Sequence, residues 1–464
     1  METVNSETVA TNQTDHAMHL SKRPTLVIEA RWVIPVIPED SLLEHHSIVC
    51  DGASILDILP TDIARQRYQP LQTVSLTEHV VIPGLINLHT HAAMSLMRGL
   101  ADDLPLMPWL QQHIWPVEQK FVSERFVRDG SLLACAEMLS GGVTCFNDMY
   151  FFPQGTAEAA TQAGMRANLG LVVMDFASAY ANDADDYLQK GLDARDNWRN
   201  NPLLSSSLAP HAPYTISDQT FAKVITYAEQ ISVGIHTHLH ETQEELRQSV
   251  EQFGLRPLQR LLNLGLLGPN FVAAHCVHLT PEEMSMLAEH GCHVAHCPTS
   301  NLKLASGIAP VARLLEENIG VGLGTDGAAS NNRMDMFSEM RLAALLAKGV
   351  SGNASVVPAH QALAMATINA ARAMCLDNKV GSIEVGKLAD LAAVRIADPE
   401  TLPCFDPVSH LVYVAGREHV SHTWVNGELR YQKLNGQDGV YANIEPAELK
   451  EITTSWQSRL NPYK

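Results

Sequence analysis

The stretch Pro83-Gly84-Leu85-Ile86-Asn87-Leu88-His89-Thr90-His91 decides how the chain is read. An apolar run of strand length ends in two histidines two positions apart, so on a β-strand both imidazoles leave the same face. Two ring nitrogens on one face can reach one ion at about 2.0–2.1 Å, the length of a zinc–imidazole bond. A His-x-His pair is a weak motif alone; it gains force here because it ends a buried strand.

Seven further apolar runs follow: GVTCFNDM, RANLGLVVMD, LLSSSLAPHAP, VGIHTHLHE, NFVAAHCVHL, HVAHCPTSN and VGLGTDGAAS. Segments with helical periodicity, such as SERFVRDGSLLACAEMLSG and PEEMSMLAEHG, lie between most of them. Eight strand candidates alternating with helices predict a parallel α/β sheet, and eight is the number that closes a barrel; a doubly wound open sheet is the alternative. Chemistry-bearing residues gather at the carboxyl ends of these runs, where barrel active sites lie: His211, His236, His238, His240, Glu241, His275, His278, His293, His296 and Asp326. Singly, each has an innocent structural reading. Together, at equivalent strand ends, they favour a metal centre.

On the fifth run His236, His238 and His240 share parity, and three ligands from one strand would crowd each other, so one or two bind. Glu241 has the opposite parity and turns inward only if the strand stops near Leu239 or His240. Pattern does not choose among the three histidines. Asp326, in Leu323-Gly324-Thr325-Asp326-Gly327, is flanked by glycines that permit a tight turn, and reads as a ligand or base beside a metal cluster.

Outside the alternating middle, residues 24–82 and 384–435 are strand-like and punctuated by Asp-Gly and Asn-Gly turns. The expected architecture is a distorted (β/α)8 barrel over residues 83–383, with a small β-sandwich domain built from both chain ends. Residues 1–23 are expected to form a flexible tail and 436–464 a helical extension. The chain has 464 residues, 46% of them apolar, enough for a sizeable core. A net charge of −19 leaves no footprint for binding a phosphate backbone, which excludes nucleic acid as the expected partner. There is no basic, apolar leader, no run of about 18 apolar residues, and no C-x-x-C pair among the eight cysteines. No membrane association is expected, and the location is expected to be cytoplasmic.

The segments Pro83–Leu110, His238–Glu245, Ala274–Leu279, His296–Leu304 and Gly322–Asn332 together resemble the amidohydrolase superfamily of metal-dependent barrel hydrolases. The resemblance covers about residues 25–435. Within that superfamily it is closest to the 5′-methylthioadenosine/S-adenosylhomocysteine deaminases, with s-triazine chlorohydrolases and guanine deaminases as near relatives. It implies hydrolytic deamination of an adenosine-type nucleoside, a guanine or s-triazine substrate being the alternative. It also implies His89, His91, His238 and Asp326 as metal ligands, with Glu241, His275 and Asp326 as catalytic groups. His275 would contact the attacking oxygen. Glu118 is implied for the ribose hydroxyls and His211 for the nucleoside, while His236 and His240 become supporting residues. Glu241 and Trp109 are also taken as substrate contacts. Relatives imply a homo-oligomer, dimer or tetramer.

Binuclear relatives carry a modified lysine at the end of the fourth strand, where this chain has LAPHAPY. One divalent ion, zinc by preference, is therefore expected. The H-x-E and P-C-x-x-C signature of the other zinc deaminases is absent. Met94, Leu96, Met97, Leu106, Met107 and Trp109 are candidates for an apolar thioether slot. Arg98, Arg166 and Arg333 are candidates to clamp a substrate carboxylate.

Overall fold

The computed structural model describes residues 23–434 and 436–464, so the tail expected at residues 1–23 lies, Arg23 apart, outside them. Along the chain, β1 (Leu26–Val33), β2 (Leu43–Asp51), β3 (Ser54–Pro60) and β4 (Gln72–Pro83) come first. The barrel strands follow: β5 (Leu85–Thr90), β6 (Val143–Tyr150), β7 (Arg166–Val173), β8 (Leu204–Pro210), β9 (Gly234–Leu239), β10 (Phe271–His275), β11 (His293–His296) and β12 (Gly320–Leu323). The chain closes with β13 (Leu391–Arg395), β14 (Val420–Val425), β15 (Glu428–Gln432) and β16 (Val440–Tyr441).

Strands β5 to β12 form one parallel eight-stranded sheet in chain order, with helices between them: a distorted (β/α)8 barrel. All eight runs picked from the sequence supply these strands. The second sheet has the order β16-β15-β14-β13-β4-β1-β2-β3, so both chain ends share it. They meet where β13 pairs antiparallel with β4, from Leu391 opposite Pro83 to Arg395 opposite His79.

Strand alternation lets the second sheet serve two cores. Ile28, Ile48, Val81, Leu391 and Trp424 pack on one side. Their neighbours Trp32, Val80, Ile82 and Val394 face the other way and join the main core with Phe126 and Phe146. The junction is locked by Arg166 at the amino end of β7. Its guanidinium pairs with Asp390 (2.9 and 3.2 Å) and donates to Asn426 Oδ1 at 2.6 Å, with both charged side chains buried. Arg166 is thereby spent at the end of the barrel opposite the catalytic face and cannot clamp a substrate there.

The seam between β12 and β5 is closed by individual groups. Asn87 Oδ1 accepts from the Thr325 N–H at 2.9 Å, Asn87 Nδ2 donates to Thr325 Oγ1 at 2.8 Å, and the Asp326 N–H donates to the His89 carbonyl at 2.9 Å. Gly324 makes this approach possible: a Cβ there would stand 2.7 Å from His89 N and 2.8 Å from its Cβ. Gly324→Ala is expected to part the seam and cost about 1–3 kcal/mol, read from the urea midpoint. Gly349→Ala, with open space around the added methyl inside a helix, should be neutral or stabilising. Equal midpoint shifts for the two variants would contradict the close-packed seam.

Candidate metal centre and active-site pocket

Closure of the seam brings β5 and the β12 turn together, and β9 and β10 complete the ring of donors. Strand β9 stops at Leu239, and His240 turns left-handed at φ 54°. The Glu245 carboxylate fixes that turn by accepting the N–H groups of His240 (3.0 Å) and Glu241 (2.8 Å). The chain reverses, and Glu241 enters the pocket despite its parity. The three histidines of this strand then separate. His238 faces the centre. His240 turns away, its Nε2 accepting from the Leu258 N–H at 3.1 Å. His236 lies one layer deeper, with Nε2 3.0 Å from His89 Nδ1 and Nδ1 receiving the Asn147 amide at 3.1 Å.

At the centre, hydrogen bonds set the tautomers. His91 Nδ1 donates to the Met149 carbonyl at 2.5 Å and His238 Nδ1 donates to the His211 carbonyl at 2.7 Å. Both rings therefore turn Nε2 towards the centre, where these two atoms face each other at 3.3 Å. Two lone pairs in such contact would repel, so a proton or a metal cation lies between them: burial lowers the His91 imidazole, but the Asp326 carboxylate outweighs it and lifts that ring to about 9. His89 Nε2 is buried without a hydrogen-bond partner. It lies 3.4 Å from Asp326 Oδ1, and His91 Nε2 lies 3.2 Å from the same oxygen.

Burial pushes the His238 imidazole well below its ordinary pKa and that of His89 down to about 4, which favours the neutral form a metal requires. Burial alone would raise the Asp326 carboxyl, but the imidazoles of His89 and His91 hold it well below the usual range. Its Oδ2 also accepts from Ser300 (2.6 Å) and Ser330 (2.8 Å), and its Oδ1 from the Gly327 N–H (2.8 Å). His275 donates from Nδ1 to Asn301 Oδ1 at 2.8 Å, which turns its Nε2 towards the same centre, 3.8 Å from Glu241 Oε2. His275 (φ 72°) and Asp326 (φ 63°) both sit in the left-handed region, strain that clusters where function fixes the backbone. The donor atoms form two overlapping sets, His89 with His91 and Asp326 and His89 with His238 and His275, each within 4.8 Å, a donor chemistry that suits a divalent ion.

Beside the centre lies a pocket of about 290 Å³. His91, His211, His238, Glu241, His275 and Asp326 line its polar end, while Met94, Leu106, Trp109, Leu110, Trp115 and Val122 supply one apolar wall. Glu118 is buried in it, accepts from Tyr150 OH at 2.7 Å, and is pushed up to about 7 by burial. Burial also raises the Glu241 carboxyl, whose Oε1 accepts from Ser306 at 3.3 Å.

Of the slot expected from sequence, Met94, Leu106 and Trp109 reach the pocket lining; Leu96, Met97 and Met107 do not. Met149, Phe151, Met174, Phe176 and Tyr214 line it unforeseen, because they sit at the ends of β6, β7 and β8, far apart in sequence. The arginines are corrected as a group. Besides Arg166, Arg98 is held by Glu137 and the Asn332 carbonyl, and Arg333 by Asp335 at 3.2 Å. Among the described residues no lysine or arginine lines the pocket.

Residues 80–430 match the model of the amidohydrolase family. A 5-methylthioadenosine/S-adenosylhomocysteine deaminase from Teredinibacter turnerae is 46% identical over 436 residues, 93% of this chain and 97% of the relative. One of the same name from Saccharophagus degradans is 47% identical over 435 residues, 94% and 96% of the two chains. The crystal structure of an adenosine deaminase from Xanthomonas campestris with bound zinc superposes at a TM-score of 0.92 with 44% identity, covering 95% of this chain and 99% of its own.

The three histidines of β9 make a discriminating set. His238→Ala is expected to abolish stoichiometric metal, and His236→Ala to weaken affinity about 10–100-fold by freeing the His89 ring. His240→Ala should leave affinity near that of the parent. Chelator competition with metal quantification checks this, and loss of metal in His240→Ala alone would overturn the assignment.

Proposed function

Because the chain belongs to the amidohydrolase family, we propose that it is a metal-dependent deaminase of adenosine-type nucleosides, acting on 5′-methylthioadenosine ahead of S-adenosylhomocysteine and releasing the inosine product with ammonia. The observation that carries this reading is the adjacency of the donor cluster to a cation-free apolar pocket holding two buried carboxyl groups, Glu241 and Glu118. The names of the relatives and the zinc of the solved neighbour support it.

His89, His91, His238 and Asp326 would hold one divalent ion, zinc by preference. Such an ion, when bound, lowers the pKa of water to about 7 and supplies hydroxide at neutral pH. Asp326, kept ionised, takes the proton of the attacking water as oxygen bonds to C6 of the adenine ring. Glu241, whose burial favours the protonated form, donates to ring N1 and so cancels the charge that develops as aromaticity is lost. His275 Nε2 accepts a hydrogen bond from the attacking oxygen and orients it. The C6–N6 bond then breaks: the amine takes the proton held on Asp326 and leaves as ammonia, while the C6 hydroxyl returns its proton to Glu241 and becomes the carbonyl of the inosine product. Each such proton transfer is worth roughly 10²–10⁴-fold in rate.

Glu118 is assigned to the ribose hydroxyls and His211 and Trp109 to the nucleoside, which leaves the Met and aromatic wall for the thioether. A substrate amino-acid tail meets no cationic partner there, which is the ground for ranking the methylthio substrate first. The eight cysteines are unpaired and six are buried, which supports a reducing, cytoplasmic setting.

Metal-loaded protein assayed for ammonia on adenine nucleosides and free bases should favour 5′-methylthioadenosine; no turnover of any adenine nucleoside would refute the proposal. Glu118→Ala should lower kcat/KM for nucleosides roughly 10–100-fold, as loss of charged hydrogen bonds does, and leave free bases unaffected. The hydroxyls donate to ionised Glu118. With its carboxyl at about 7 in the empty pocket, KM should therefore climb as pH falls below that value, by up to about tenfold per unit. Glu118→Gln should flatten that limb; an unchanged profile would remove Glu118 from substrate binding.

A further inference from the structure

The helix Trp115–Phe121 that carries Glu118 has only seven residues, too few to be stable alone, and it follows a π-helical turn at Leu110–Ile114. Its two sides do different things. Trp115, Glu118, Gln119 and the adjoining Val122 fall at helical spacing i, i+3, i+4, i+7 and all line the pocket. Lys120 and Phe121 face outward and meet the last turn of the chain. Lys120 Nζ donates to Tyr463 OH and lies 4.9 Å from that ring's centre. Phe121 packs edge-to-face on Tyr463 at 5.2 Å, with the Arg459 guanidinium 5.7 Å from the Phe121 ring.

The terminal helix Pro446–Leu460 is in turn pinned to the barrel. Trp456 Nε1 donates to buried Asp129 at 2.9 Å, and the Trp456 ring meets Phe126 edge-to-face at 5.0 Å. Glu448 accepts from Arg128 and Gln162, both at 2.8 Å. The family match ends at residue 430, before this helix begins.

We propose that the terminal segment Pro446–Tyr463 is a brace that sets the position of Glu118 towards the sugar of the substrate, with Tyr463 as a positioning residue acting through Phe121 and Lys120. The brace transmits a fixed point on the barrel wall, Asp129 and Phe126, across Trp456 to the outer face of the pocket helix. Its consequence for substrate binding rests on the reading of Glu118 given above.

The test uses the metal-loaded chain with Tyr463→Ala and Tyr463→Phe; Tyr463 is only partly buried, packed against the edge of the main core, and the Phe variant keeps that packing should the Ala variant lose stability. In Tyr463→Ala, amide exchange over residues 115–121 should quicken while β5 stays protected. KM for the nucleoside should rise about three- to tenfold, the factor an edge-to-face aromatic pair is worth, with kcat and metal content unchanged. Tyr463→Phe keeps the ring contact and should restore most of both. Unchanged exchange in Tyr463→Ala would overturn the brace itself. Faster exchange with unchanged KM would overturn instead its link to the substrate through Glu118.

Discussion

Everything at the catalytic face depends on how the first and last barrel strands approach each other. No continuous ladder closes this barrel among the described residues; Asn87, Thr325 and the Asp326 N–H do it, across a gap that only glycine at position 324 leaves open. The carbonyl that accepts the Asp326 N–H belongs to His89, so the bond that shuts the barrel also sets a carboxylate against two imidazoles. The fold and the donor cluster are one constraint seen from two sides.

Beneath the cluster the barrel interior is polar where such interiors are normally filled by branched apolar side chains. Ser205 donates to Asn168, Asn168 to Asn147 and Ser207, and Asn147 to His236, which holds His89. Each group in this column is satisfied by the next, which is what makes burying it tolerable. The column fixes the His89 ring from below, as backbone carbonyls fix His91 and His238 from the sides. Rings held in fixed orientations are what a metal site needs before any metal arrives.

Much of this was legible in the sequence, for physical reasons. Strand periodicity and the clustering of histidines at strand ends are local signals, and they located all eight barrel strands and the His89/His91 pair. The choice among His236, His238 and His240 was not local. It follows from where β9 stops, a matter of Glu245 capping the next turn, and the pattern of alternation carries no record of that. The pocket wall divides in the same way. Met94 and Trp109 were found because they follow the metal pair closely, whereas Met149, Met174 and Tyr214 come together only when three strands are laid side by side. The contact between Lys120 and Tyr463 spans 343 positions and leaves no periodic trace at either end. Arg166 shows the converse error: a plausible cation by composition, it is placed by its strand at the wrong end of the barrel.

The central claim is that one ion sits where His89, His91, His238 and Asp326 converge. Anomalous scattering from crystals of the zinc-loaded protein, collected at the zinc absorption edge, tests it most directly. The account predicts a single peak within bonding distance of those three Nε2 atoms and the Asp326 carboxylate. Two peaks bridged at the same face, or one peak bound through His236 or His240, would contradict it.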